Sequence, residues 1–535
     1  MNFPPRPFLV AKLPSLVSGV DFLGLGAVNE RLIADFLPGI SNVTRYMRVY
    51  SAMTWMAWRF DQHFRTEGRN LSQSEIRKRF ARFREKVELL FTWGNLKRGP
   101  GIVGSERRFP KNQGAQRLAF SEFGSVAISW LDAAVYGPSL KVNNGLGFIE
   151  PRPGSSLGPT GLGAELAAAL DASLRRSRYY TKLCDVDDDV GSLQMAEDLG
   201  ERWSILASTK DERDAFRKAF APARALPEVD PAGAARNAAV RLIHDALRRL
   251  GGSGSQQAVR EAIAKGSTDA SPQIENLDEP ARALWTALQV RQLQRLCHEM
   301  LLRWVELALI DPPVGISGLT TGHLARHCGE TAARHLRLSV QDPLSELTAL
   351  VVQQVGRRKS PLVAGGPVDP FNVIQQLEDL KGSTHELEQI PGVAVRGLTI
   401  AAVQTLAFAG DNNFVRPISL GHASRLSLQT LVDLFRSHQN KPLGDFVDTL
   451  IESCTVGQHF ATVASKLEPG KNKYRFVPSE LGLKPLIDPD KVIRAGVTHD
   501  RLEIAMSLMC DCGLLTRTAD PEAFGLPPPS IRSRV

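Results

Sequence analysis

Apolar side chains recur at helical rather than alternating spacing along most of this chain. Between Ser74 and Leu90, the residues Ile76, Phe80, Phe83, Val87 and Leu90 follow at steps of 4, 3, 4 and 3, which sets them on one face of a helix. Ser72 and Glu75 form a capping box at its start, because hydroxyl and carboxylate can each answer an amide that a helix leaves unpaired. Similar patterns predict helices near 162–175, 190–206, 233–250, 280–309, 343–355 and 426–436. The helix beginning near Val43 is apolar nearly all round and is expected to be buried.

Glycine and proline interrupt these patterns. Six glycines and three prolines between Asn144 and Gly163 forbid a long regular element. Gly251 to Ser255 (GGSGS) reads as a helix stop followed by a flexible connector, and a third break spans Lys359 to Pro370. The expected organisation is a basic helical domain over 1–143, a loop over 144–163, a helical domain over 164–250 and a linker over 251–272. A helical domain over 273–358, a loop over 359–370, a helical region over 371–470 and a small α+β region over 471–535 complete it. In that last part Lys471 to Val477 alternates like a strand and leads to a glycine turn at Gly482, predicting a hairpin. A helix over 499–510, the run Gly513 to Arg517, a turn and Phe524 to Leu526 then follow. A winged-helix ending and a plain helical hairpin both fit this order. The fold class is mainly α and multidomain, which suits 535 residues that are 43% apolar and 23% charged.

Charge changes the picture. The net charge is +8, and Ser41 to Pro100 alone holds 13 Lys and Arg against 5 Asp and Glu, so the whole excess lies in that window. Arg77, Lys78, Arg79, Arg82, Arg84 and Lys86 stand off the apolar seam, followed by Lys97, Arg98, Arg107, Arg108 and Lys111. Binding to a nucleic-acid backbone needs clustered cations rather than a fixed motif, so this face is a candidate for DNA or RNA phosphates; a solvated basic face is the plainer reading. Arg45, Arg48, Ala52, Trp55 and Arg59 also share one stripe of the preceding helix. Those arginines either reach a ligand or pair with carboxylates such as Glu30 or Asp35 inside the domain.

Signatures of catalysis are weak. Gly158 to Gly163 (GPTGLG) lacks the lysine of a phosphate-binding loop, and Ser156 in GSSLG lies among prolines rather than on a strand-to-helix elbow. His323 and His327, near Cys328 and His335, have no glutamate between them, so no metal site is assigned. Asp185, Asp187, Asp188 and Asp189 read as the acidic start of a helix rather than a Mg2+ site. No catalytic residue, metal or cofactor is assigned, and the chain is read as leaning away from an enzyme. Six sparse cysteines, an N-terminus broken by Pro4, Pro5 and Pro7, and the absence of a long uncharged apolar run predict a soluble cytoplasmic protein without a membrane partner.

Leu23, Gly24, Gly26, Arg31, Leu37, Pro38, Gly39, Ile40, Ser41, Arg45, Arg48, Tyr50 and Trp55 form a pattern over residues 21–60. It resembles the N-terminal region of uncharacterised proteins from bacterial antiphage defence islands. The resemblance implies a subunit of a multi-protein defence complex, acting beside an ATPase, helicase or nuclease, and implies no catalytic residue. The leading expectation is a non-enzymatic subunit that engages nucleic acid or acts as a scaffold. A metal-dependent nuclease with a dispersed site and a structural adaptor that binds no nucleic acid are the alternatives.

Overall fold

The computed structural model describes residues 21–67, 71–96, 116–120, 130–131, 135–142, 145–152, 156–223, 225–266, 279–314, 316, 318–355, 362, 366–421, 426–466 and 473–528. These are mainly helical, with small two- and three-stranded antiparallel sheets, as the apolar spacing predicts. The chain forms two compact units: a host unit of residues 34–260 and 499–535, and an inserted unit of residues 1–33 and 261–498. The stretches 144–163 and 359–370 each fall within one unit, and the chain leaves the host at 260, inside the stretch expected as a linker.

Helix α1 (Gly26–Phe36) runs into the host unit, where α2 (Met47–Glu67), α3 (Gln73–Asn95), β1 (Arg117–Ala119), α4 (Gly137–Leu140), β2 (Ile149–Pro151) and β3 (Leu157–Pro159) follow. Next come α5 (Gly161–Leu174), α6 (Tyr180–Cys184), β4 (Val190–Ser192), α7 (Leu193–Arg202), α8 (Lys210–Phe220), α9 (Pro231–Arg249) and β5 (Ser253–Ser255). The all-round apolar character of α2 does bury it: Val49, Tyr50, Ala52, Met53, Trp55, Met56 and Ala57 are all inaccessible. The expected capping box of α3 is present, and its five seam residues are buried. Near its end α3 crosses α7 at glycines, since a Cβ on Gly94 would sit 2.9 Å from the Cα of Gly200.

Helix α10 (Gln256–Lys265) leads into the inserted unit. There α11 (Glu279–Ile310), α12 (Thr321–Leu336), α13 (Leu344–Val355), α14 (Pro370–Leu380), α15 (Glu386–Phe408), α16 (Asn412–Ser419), α17 (Leu428–His438), α18 (Leu443–Ile451) and α19 (Gln458–Ala464) are followed by the hairpin β6 (Phe476–Ser479) and β7 (Gly482–Pro485). The predicted hairpin therefore exists, with its first strand later than the 471–477 alternation. Helix α15 is the one described helix long and apolar enough to cross a membrane, and 83% of its most apolar stretch is buried inside the protein. One polar face of α11 holds an extended segment. Glu306 accepts from the Ile493 amide (2.7 Å), Arg303 donates to its carbonyl (2.8 Å), Glu299 accepts from Gly496 (3.0 Å) and Gln292 from Thr498 (2.8 Å). Side chains here replace the strand partner that the segment lacks.

The host unit closes with α20 (Leu502–Asp511), β8 (Thr516–Arg517) and β9 (Ala523–Gly525). Two expectations are corrected at this point. Ser253–Ser255 is not a flexible connector, because it forms β5 and pairs with β9. The helix expected over 190–206 starts only at Leu193, because Val190 and Gly191 pair with Ala119 and Leu118 and the Ser192 hydroxyl accepts from Met195 as the cap. The order α9, β5, α10, α20, β8, β9, with sheet order β5-β9-β8, is that of a winged helix. Its second and third helices are separated along the chain by the inserted unit.

In helix-turn-helix modules the last helix of the motif reads the major groove. Here α20 has Leu502, Ile504, Ala505, Met506, Ser507, Leu508 and Met509 buried, and the turn after β8 carries Asp520 and Glu522. Asp511, at its end, accepts from the Met47 amide (3.1 Å), and burial raises its carboxyl to about 6. That value lies above the 3.8 of a free aspartate, so the stability from this group is fully present below 3.8 and is lost as pH rises through about 6. Asp511→Asn keeps an acceptor for Met47 and is expected to flatten the fall in unfolding midpoint between about pH 4 and about pH 7. Thermal unfolding across that range checks this; an unchanged slope would exclude Asp511 as its source.

Candidate nucleic-acid interface

The capping box and apolar seam of α3 fix which of its cations face outward. Arg77, Lys78 and Arg82 are exposed, and Arg79 and Arg84 half-exposed, with Arg79 3.5 Å from the Asp187 carboxylate. Lys86 departs from the expected basic face: it is 1% exposed. Its ammonium donates to the carbonyls of Lys182 (2.7 Å) and Asp185 (2.8 Å) and lies 3.5 Å from Asp188. Burial lowers its pKa, and the neighbouring carboxylates Asp188 and Asp185 oppose that shift. Lys97 and Arg98, like Arg107, Arg108 and Lys111, lie outside the described residues.

The arginine–tryptophan stripe is divided: Arg48 and Trp55 are buried, whereas Arg45 and Arg59 keep part of their side chains in solvent. Arg48 is 3% exposed, 3.3 Å from Glu212, and donates to the carbonyls of Arg202 (3.0 Å) and Ala207. Its carboxylate partner is thus Glu212 of α8, not Glu30 or Asp35, and the guanidinium is out of reach of phosphate. Arg45 precedes the helix, half-exposed, 3.4 Å from Glu503. Arg59 is half-exposed and touches Gln62 at 3.5 Å. Trp55 is buried and donates through Nε1 to Asp171 (2.8 Å).

Asp171 connects Trp55 to a second basic segment, which lies outside the 41–100 window of excess charge. Its carboxylate also accepts from the Tyr180 hydroxyl (2.7 Å) and from Arg175 Nε (2.7 Å). Tyr180 belongs to the run Arg175 to Lys182 (RRSRYYTK), four cations and two tyrosines in eight residues. Arg175, Arg176, Arg178 and Lys182 are exposed, and both tyrosines half-buried. The Arg178 guanidinium lies 4.9 Å from the Tyr179 ring centre, and that of Arg175 lies 5.8 Å from Tyr180. Ser177, buried at the corner, bonds to Asp198 and accepts from the Tyr179 amide (3.0 Å). The contacts of Lys86 with Lys182 and Asp185 fasten the end of this run to α3. Interleaved cations and aromatics are the sequence signal that identifies such a segment.

The aspartates after this run lead into strand β4 and do not cap a helix as expected. Asp187 faces Arg79, while Asp188 lies 3.5 Å from Lys86 and 3.7 Å from Lys182 and accepts from the Val190 amide (3.3 Å). They balance the inner cations of the surface.

The other candidates are packed into structure. Thr160 accepts from Gly163 at the start of α5, and Ser156 is buried. His323 bonds to Thr320 (3.0 Å), His327 stacks on Trp304, and His335 lies against Gly392. Among the described residues no three His, Cys, Asp or Glu side chains converge as a metal-binding set.

Removing Arg48 leaves Glu212 buried without its cation, so Arg48→Ala is expected to cost about 3–5 kcal/mol of host-unit stability. Arg45→Ala at the half-exposed pair is expected to cost less than about 1 kcal/mol. Denaturant unfolding of both variants checks the contrast, and equal effects would contradict this division of core from surface. No protein-family model, curated protein or solved structure matches the chain.

Proposed function

We propose that this protein is a non-enzymatic subunit that engages DNA or RNA through phosphates and serves as a scaffold in a multi-protein assembly. The observation that carries the reading is the joining of two basic segments, α3 and Arg175–Lys182, by the buried Lys86 ammonium. Backbone binding requires several cations on one surface and no fixed motif, and these segments supply exposed Arg77, Lys78, Arg82, Arg175, Arg176, Arg178 and Lys182. The burial of α20 and the acidic turn after β8 favour this surface over the winged-helix module as the place of contact. The pattern over residues 21–60 supports a setting in bacterial antiphage defence, with an ATPase, helicase or nuclease supplying chemistry.

Replacing Arg77, Lys78 and Arg82 together by Glu is expected to weaken nucleic-acid binding by about a hundredfold. The dependence of log affinity on log salt should become shallower by about 2–3. The melting temperature should hardly move, because exposed charges contribute little to stability. Fluorescence anisotropy with a labelled oligonucleotide over a salt series measures the first two and a thermal melt the third. Undiminished, salt-sensitive binding by the triple variant would remove α3 as the site. A wild-type chain that binds no nucleic acid, alone or with its partners, would favour a structural adaptor.

A further inference from the structure

Resting on that reading, we infer that the nucleic acid this surface takes is unpaired, with Tyr179 and Tyr180 as a stacking platform for its bases. A closed duplex presents phosphates and groove edges and keeps its base faces covered, so an aromatic ring on a basic surface adds little to duplex binding. A single strand exposes those faces, and stacking on an aromatic ring is tolerant of sequence because every base has one. The two tyrosines are adjacent, half-buried, and flanked by exposed Arg175, Arg176, Arg178 and Lys182.

The rings are oriented before any strand arrives. The Tyr180 hydroxyl is fixed on Asp171 (2.7 Å), which Trp55 and Arg175 also hold. Tyr179 is tied at both ends, its amide to Ser177 (3.0 Å) and its hydroxyl to Gln194 (3.4 Å). The Arg178 and Arg175 guanidinium groups lie 4.9 Å and 5.8 Å from the ring centres, where they add cation–π attraction, and Arg175 is itself held on Asp171 through Nε. Side chains ordered in advance lose less freedom on binding. The exposed cations on the outer part of α3 extend the surface along which a backbone can run.

The test uses the full chain and labelled oligothymidylate, oligouridylate and mixed-sequence duplex, each about twenty units long, in fluorescence anisotropy at low salt. The wild type is expected to bind oligothymidylate at least about tenfold more tightly than duplex. Tyr179→Ala, at the tyrosine not bonded to Asp171, should lose about tenfold on oligothymidylate with no change on duplex, whereas Tyr179→Phe and Tyr179→Trp, which keep a stacking ring but give up the bond to Gln194, should lose less than about threefold. The same dependence on oligouridylate extends the platform to RNA; its absence there restricts the platform to DNA. Duplex bound as tightly as the single strand, or single-strand binding indifferent to Tyr179→Ala, overturns this inference and leaves phosphate engagement standing. Failure to bind any of the three probes, alone or with partners, overturns both.

Discussion

A buried ammonium is tolerated only where its donors are answered, and in the host unit that requirement fixes the candidate surface. Lys86 sits on the inner side of α3, donates to two carbonyls of the 182–185 stretch and has the Asp188 carboxylate nearby. Without these partners its desolvation would be uncompensated. With them, a loop from elsewhere in the sequence is tied to α3 and the basic run preceding it is brought beside that helix. The least accessible cation of the cluster is the one that assembles the accessible ones.

Cations elsewhere in the host unit show why a charge count does not locate a surface. Arg236 is 3% exposed and donates to the carbonyls of Phe220 (2.9 Å), Ala219 (3.0 Å) and Pro38 (3.2 Å), and burial lowers its pKa to about 10. Arg48 combines a carboxylate with two carbonyls, and Arg501 reaches the Ile40 carbonyl (2.7 Å). These guanidinium groups close the ends of segments that leave carbonyls unpaired. Arg77, Lys78 and Arg82 keep their side chains toward solvent because the first half of α3 buries only Ile76, Phe80 and Phe83, whereas from Lys86 onward the helix is buried all round.

Local patterns made the helices legible. The Ser72–Glu75 capping box and the spacing from Ile76 to Leu90 identify α3, and the apolar circumference of α2 identifies a buried helix. Pairing over long distances was not legible: β5 lies in a GGSGS run and becomes a strand only because β9, at the far end of the chain, pairs with it. The helix, strand and strand after residue 499 already fitted a winged-helix ending, but β5 and α10 as its earlier members were not legible, because the inserted unit separates them along the chain. At the site, helical spacing distinguished the outward cations of α3 from the seam but not Lys86, whose burial depends on a loop about a hundred residues away. The Arg175–Lys182 run was visible as composition; what the sequence left open was that the loop after it would fold against α3.

Hydrogen exchange measured by mass spectrometry, with and without a saturating oligothymidylate, locates the contact without any substitution. If the two basic segments bind the strand, exchange slows in the first half of α3 and across residues 175–188, with α20 and the β8–β9 turn unchanged. Protection confined to α20 and that turn, or exchange unaltered in both basic segments while the oligonucleotide is bound, would contradict that binding.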